Sequence, residues 1–247
     1  MQEIIRSVQH GVLILSLHRP DKKNALNLAM YRELTLALEQ AQSDPQINVV
    51  LLQGSTACFT SGNDLADFLS AGELNASHPV VRFLYTIAAF PKPIVAAVAG
   101  LAIGIGTTVL LHCDLVYAAP ACRFQMPFTL LGLCPEAGSS LLLPHIAGYQ
   151  RAAQYLLLAE PFTSEQAQQF GLVNEVLIAE ELLPYAAKKA QQLAALPSDA
   201  VQRSKALLKA PQRQQVQQVI ADELVDFQQL LQSDHCQQQL KTFFSKR

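Results

Sequence analysis

The sequence has no basic cluster. Its 18 Lys and Arg and 20 Asp and Glu, a formal net charge of −2, are scattered over 247 residues, so there is no electrostatic reason to expect nucleic acid or an anionic membrane as a partner. The five cysteines, at 58, 113, 122, 134 and 236, show no C-x-x-C spacing. Their odd number indicates neither a disulfide framework nor a zinc knuckle and suits a reducing compartment. The six histidines lack metal-ligand spacing, no G-x-S-x-G elbow presents a serine, and no P-loop lysine follows a glycine turn. The opening MQEIIRSVQHGVLILSLHRP carries charge early and only a short apolar run, without the cleavage site of a signal peptide, and the final FFSKR is not the S-K-L address. The expectation from these absences is a cytoplasmic protein with a small-molecule partner.

Half of the residues are apolar, enough for one large domain, or a domain with a helical appendage. From Ile94 to Leu111 no charge occurs in eighteen residues, the length of a membrane span. Gly100, Gly104 and Gly106 interrupt that run, Pro91 and Pro93 precede it and His-Cys-Asp follows, so it reads as a buried strand, a glycine turn and a buried helix. Further strands are expected at 11–18, 47–54 and 114–118. Asn27 caps a helix whose Met30, Leu34, Leu38 and Ala41 recur at helical spacing until Asp44-Pro45. Beyond Arg123–Met126 the chain turns helical. Thr163 and Gln166 form a capping box, LVNEVL is a last extended piece, and 180–247 is helical, with Val216, Ile220, Leu224, Phe227 and Leu231 on one face. Such a face is ordinarily core or a subunit contact rather than a ligand wall. Strands alternating with helices imply an α/β fold with β-α-β crossovers.

Between Arg123 and Arg151 the one formally charged residue is Glu136, in LLGLCPEAGSS. An unpaired carboxylate among leucines is either turned back to water or retained for chemistry. Two glycine turns follow strands, FTSGNDL at 59–65 and AGLAIGIGTT at 99–108. Glycine lets main-chain N–H groups approach a bound atom there, although each turn alone reads first as a tight strand-to-helix connection. The second has G-x-G without the third glycine of a dinucleotide fingerprint. His112-Cys113-Asp114 only mimics a triad, since neighbours on a helix project apart. Cys134, with no basic neighbour, reads as an inert thiol.

In their order, the segments LHRPDKKNALNLAM, CFTSGNDLADF, KPIVAAVAGLAIGIGTTVLLHCDLVYAAPACRFQMPFTLLGLCPEAGSS and FTSEQAQQFGLVNEVL resemble the crotonase family, the enoyl-CoA hydratase/isomerase group, over about residues 5–210. The resemblance implies an α/β, crotonase-like spiral of ββα units with a helical C-terminal region. Residues 1–190 would form the acyl-CoA-binding core and 191–247 a trimerisation region, with the subunits assembling as a homotrimer or hexamer. By position it assigns the two N–H donors of an oxyanion hole to Asn63 and Ile105. Acyl-CoA would lie across Lys22, Lys23, Ala25, Ser61, Gly62, Asp64, Leu65 and Gly104, the lysines beside its phosphates. The two glutamates with which family hydratases handle water fall at Thr108 and Phe128, neither of which is a base.

Glu136 instead matches the catalytic acid of the 3-enoyl-CoA to 2-enoyl-CoA isomerases, closest to the peroxisomal-type branch. The implied activity is a 1,3-proton shuttle in fatty-acid metabolism, with no metal and no cofactor beyond the coenzyme A carried by the substrate. Its alternatives are another crotonase reaction, such as 2-enoyl-CoA hydration, or a non-catalytic acyl-CoA binder.

Overall fold

The structure is a computed structural model and describes residues 2–69 and 72–245; the last two residues of the FFSKR terminus lie outside that range. The chain opens with a hairpin of β1 (Ile4–Gln9) and β2 (Val12–Leu17), turning through His10 and Gly11 at φ 50° and 75°. Two successive left-handed residues give the turn a twist that matches the paired strands. The sequence reading starts at residue 11 and passes over β1, because this edge strand buries only Ile4 and shows no apolar run.

From β2 the sheet continues in parallel through β3 (Val49–Gln53), β4 (Ile94–Val98), β6 (Leu115–Ala118) and β8 (Glu175–Val176), in the order β1-β2-β3-β4-β6-β8. β4 is buried along its whole length and β3 at four of five positions, as covered parallel strands require. The first crossover is α1 (Leu28–Ser43), capped by the Asn27 side chain, which accepts from the Met30 N–H at 2.8 Å. The next holds α2 (Leu65–Leu69) and α3 (Pro79–Ala89). The sequence reading assigns no helix to 79–89, although Val80, Leu84 and Ile87 have helical spacing and Pro79 is a start signal.

The charge-free run 94–111 is β4, then β5 (Leu101–Ile103), α4 (Ile105–Thr108) and a 3₁₀ turn (Val109–His112). Among the described residues no helix is long and apolar enough to cross a membrane. Two details differ from expectation. The glycine turn holds the strand β5, paired in parallel with β7 (Arg123–Gln125) and too short to show alternation. The buried helix expected after the glycine turn tightens halfway, where β-branched Thr107, Thr108 and Val109 weaken α-helical propensity.

Helices α5 (Ser139–Ala147), α6 (Tyr149–Leu157) and α7 (Ser164–Gln169) follow, α7 opening with the Thr163/Gln166 capping box. α8 (Ala179–Ala194) runs through position 190 and packs on β3 and β4. α9 (Ser198–Lys209), α10 (Arg213–Leu231) and α11 (Asp234–Ser245) complete the chain. On α10, Val216, Ile220, Phe227 and Leu231 are buried as the spacing requires; Leu224 is half-buried, and the buried residue beside it is Glu223.

Candidate active site

The site begins with three loops sewn together by main-chain bonds. Lys23 and Asn24 adopt left-handed φ of 50° and 55°. The buried Asn24 side chain accepts from the Arg19 N–H at 2.8 Å and donates to the carbonyls of Cys58 and Phe59, each at 3.0 Å. The Ser61 N–H donates to Lys23 O at 2.9 Å, the Leu26 N–H to Gly62 O at 2.8 Å, and the Asp64 N–H to Leu26 O at 2.8 Å. Turn 60–63 is bonded in turn to segment 101–103, Thr60 N–H to Leu101 O at 2.8 Å and Ile103 N–H to Thr60 O at 3.2 Å.

Glycine is required where the two turns touch. Gly62 has φ +91°, and a Cβ there would sit 2.6 Å from the Ile103 carbonyl oxygen. Gly104, at φ 56° and ψ −120°, occupies a mirror-image region that side chains avoid. The N–H groups of Asn63 and Ile105 therefore belong to adjoining turns. Among the described residues, no protein acceptor is hydrogen-bonded to either.

These loops form one wall of a cavity of about 920 Å³. Lys22, Lys23 and Ala25 line it from the first loop, Ser61, Gly62, Asn63, Asp64 and Leu65 from the second, and Gly104 from the third. Lys22 and Lys23 are exposed and, among the described residues, make no ion pair. Asp64 is committed instead to Arg19, at 2.7 Å, and Arg19 also meets Glu3 at 3.0 Å. Apart from Arg19, Arg123 and Gln125, the remaining wall is apolar. Phe128, Leu131 and Leu133 contribute, and Phe227, Leu231 and Leu240 close it from α10 and α11. The apolar face of α10, expected to be core or a subunit contact only, is thus also a wall of this cavity.

Neither Glu136 nor Ile105 belongs to that wall. Both are buried, at 5% and 1% exposed, Ile105 next in the chain to Gly104 and Glu136 three residues past Leu133. The Glu136 backbone is fixed by a bend. Ala137 and Gly138 are both left-handed, at φ 61° and 72°, and the Ser139 N–H reaches back to Glu136 O at 3.1 Å as α5 starts. His112 Nε2 donates to Ala137 O at 2.7 Å. Burial, aided by the charges of Lys209 and Lys205 and opposed by that bond, pushes the His112 pKa down to about 4, so the ring is neutral.

The Glu136 carboxyl accepts from Thr108 Oγ1 at 2.5 Å. Burial drives its pKa up to about 8; the Thr108 bond pulls it down and the negative charge of Glu223 pushes it further up. Tyr31, from α1, donates its hydroxyl to Asn63 Oδ1. Its own pKa is raised by burial and by the charge of Glu136, which brings the Asn63 turn and the Glu136 bend within electrostatic reach of one another.

The neighbours of Glu136 divide into those visible in sequence and those missed. His112, Cys113 and Asp114 indeed diverge: Cys113 Sγ faces Val109 O at 3.6 Å, and Asp114 accepts from Lys205 and from the Ile94 N–H, both at 2.7 Å. Burial, with Asp226 and Glu223, pushes the Cys134 thiol up to about 11, an inert value. The hydroxyl role of Thr108, the His112 bond and the Tyr31 bond have no sequence signature, because their partners lie 25 or more residues away. Glu223 had one: it interrupts the apolar stripe between Ile220 and Phe227.

Comparison with known proteins adds the family context. Residues 7–247 match the enoyl-CoA hydratase/isomerase family. The chain is 35% identical to 2,3-dehydroadipyl-CoA hydratase of Escherichia coli strain K12, over 100% of this chain and 97% of that protein. It is 32% identical to enoyl-CoA delta isomerase 2 of Rattus norvegicus over 99% of this chain, which spans only 64% of that relative. Among solved structures, Pseudomonas aeruginosa OdaA superposes with a TM-score of 0.96 at 45% identity, covering 98% of this chain and 99% of that one.

Proposed function

We propose, on the premise that this chain belongs to the enoyl-CoA hydratase/isomerase family and has its α/β crotonase fold with C-terminal helices, that it shifts the double bond of 3-enoyl-CoA thioesters to C2, with Glu136 carrying the proton. One observation supports this over hydration. By the family resemblance, the first position at which hydratases carry a glutamate is Thr108 in this chain, and its hydroxyl is spent on Glu136. The second such position is Phe128, an apolar wall residue. A proton shuttle needs one carboxylate, whereas paired activation of water needs a glutamate at the hydratase positions, and Thr108 and Phe128 supply none there.

In this reading the thioester oxygen takes the two uncommitted N–H groups of Asn63 and Ile105. Removing a C2 proton of a 3-enoyl thioester leaves a dienolate whose charge rests largely on that oxygen, and each such donor is worth about 3 to 4 kcal/mol. The Glu136 carboxylate takes the C2 proton and, now a neutral acid, returns it to C4 on the same face. A base with a pKa near 8 is well matched to this work at neutral pH. Lys22 and Lys23 meet the phosphates of coenzyme A, and the apolar wall from Leu131 to Leu240 receives the acyl chain. The same reading makes the protein a homotrimer or a pair of trimers, with exposed Leu207 and Leu208 of α9 among the apolar residues available for subunit contact.

The test is an absorbance assay on 3-enoyl-CoA substrates of several chain lengths. Glu136→Gln is expected to lower turnover by about 10²- to 10⁴-fold with the fold intact. Undiminished isomerisation in that variant removes Glu136 from the reaction, and 3-hydroxyacyl-CoA formed from a 2-enoyl-CoA identifies a hydratase. A protein that binds acyl-CoA but exchanges no deuterium at C2 or C4 is a binder rather than an enzyme.

A further inference from the structure

Resting on the role proposed for Glu136, we infer that Glu223 of α10 is a positioning residue for that carboxylate: it clamps the first turn of α5, holds the 135–138 bend in place, and sets its own charge beside the proton carrier. Glu223 is 7% exposed on the apolar face of its helix. Its carboxylate accepts from the Gly138 N–H at 2.6 Å, the Ser140 N–H at 3.0 Å and the Ser140 hydroxyl at 2.5 Å. All three partners are donors, which is the environment of an ionised carboxylate at a helix N-terminus.

The grip extends to both sides of Glu136. Cys134 Sγ faces the Glu223 carbonyl oxygen at 3.7 Å, and a Cβ on Gly138 would lie 3.5 Å from Val216 and from Ile220 of the same helix. His112 holds Ala137 O from another direction. Two turns of α10 therefore secure the bend, and the next turns along supply Phe227 and Leu231 to the cavity wall. Seating of the acyl chain and placement of the acid share one rigid element.

The groups that bond Glu136 or meet its charge are Thr108 from α4, Tyr31 from α1, Cys134 from its own segment and Glu223 from α10; His112 of the 3₁₀ turn bonds the adjacent Ala137 O, with Lys205 and Lys209 of α9 acting on it. Burial raises the Glu223 pKa and its bonds from Ser140 and Gly138 lower it; with the phenol, thiol and imidazole uncharged at neutral pH, the ionised form of Glu223 is the charge that acts on Glu136. A like charge favours the protonated form of Glu136. Removing it shifts the Glu136 titration to lower pH, an effect that a purely structural cap does not have.

The experiment follows the Glu136 carboxyl band by infrared difference spectroscopy in the substrate-free full chain, with Glu136→Gln to assign the band, alongside kcat and KM. In Glu223→Gln the midpoint is expected to move to lower pH, and kcat to fall about 10- to 100-fold from misplacement of the acid, with KM within twofold. An unmoved midpoint overturns the inference whatever the activity. A moved midpoint in a protein that does not isomerise 3-enoyl-CoA leaves the clamp standing and removes the isomerase reading. Should Glu223→Gln fail to fold, Ser140→Ala carries the test: about tenfold lower kcat, restored by Ser140→Thr, supports the clamp, and a kcat equal to the parent's overturns it.

Discussion

A carboxyl group with a pKa near 8 in the folded chain and an ordinary value when unfolded makes stability depend on pH. The folded state of Glu136 binds its proton more tightly than the unfolded state, so its contribution is fully present below the unfolded value of about 4.5 and is lost as pH rises through about 8. Glu136→Gln, which cannot ionise, is therefore expected to be more stable than the parent at pH 9 by up to a few kcal/mol and to differ little at pH 5, in denaturant titrations at both pH values. An equal difference at both would mean that the acid is not buried as described. Thr108 acts in the opposite sense to burial, since its hydroxyl favours the ionised carboxylate. Thr108→Val, close in shape, should move the acid limb of kcat/KM to higher pH and cost about tenfold in kcat/KM at pH 7, the worth of one hydrogen bond to a charged group.

At the scale of elements, the C-terminal helices serve two purposes. The spacing of Val216, Ile220, Phe227 and Leu231 marks a buried face in sequence, but periodicity cannot say what covers it, and in the structure part of that cover is the cavity. Leu231 is 3% exposed and lines it. Leu231→Ala should lose about 2 to 5 kcal/mol of stability and shift the preferred acyl chain to greater length in the same absorbance assay; a destabilised variant with an unchanged length profile would put the acyl chain elsewhere. Glycine turns and the Asn27 cap were legible because each obeys a local rule. β1 and β5 were not, the first being an exposed edge and the second three residues long.

At the scale of the whole molecule, a single chain leaves Leu207 and Leu208 exposed at 75% and 83% and Leu157 and Leu158 at 64% each. The proposed trimer predicts a mass by light scattering of three or six times the 27.0 kDa chain, and a stable species of one chain mass would overturn it. The sequence by itself determined the order of the strands and helices other than β1, β5 and α3, the glycine turns and the isolation of Glu136 from other charges along the chain, because helix caps, apolar periods and turn chemistry act between residues close in the chain. Only the tertiary structure decided that Thr108, His112 and Glu223 converge around that acid, that the N–H groups of Asn63 and Ile105 belong to adjoining turns, and that α10 and α11 wall the cavity. Those contacts join residues 25 or more positions apart, and their geometry exists only once the apolar segments have packed and excluded water.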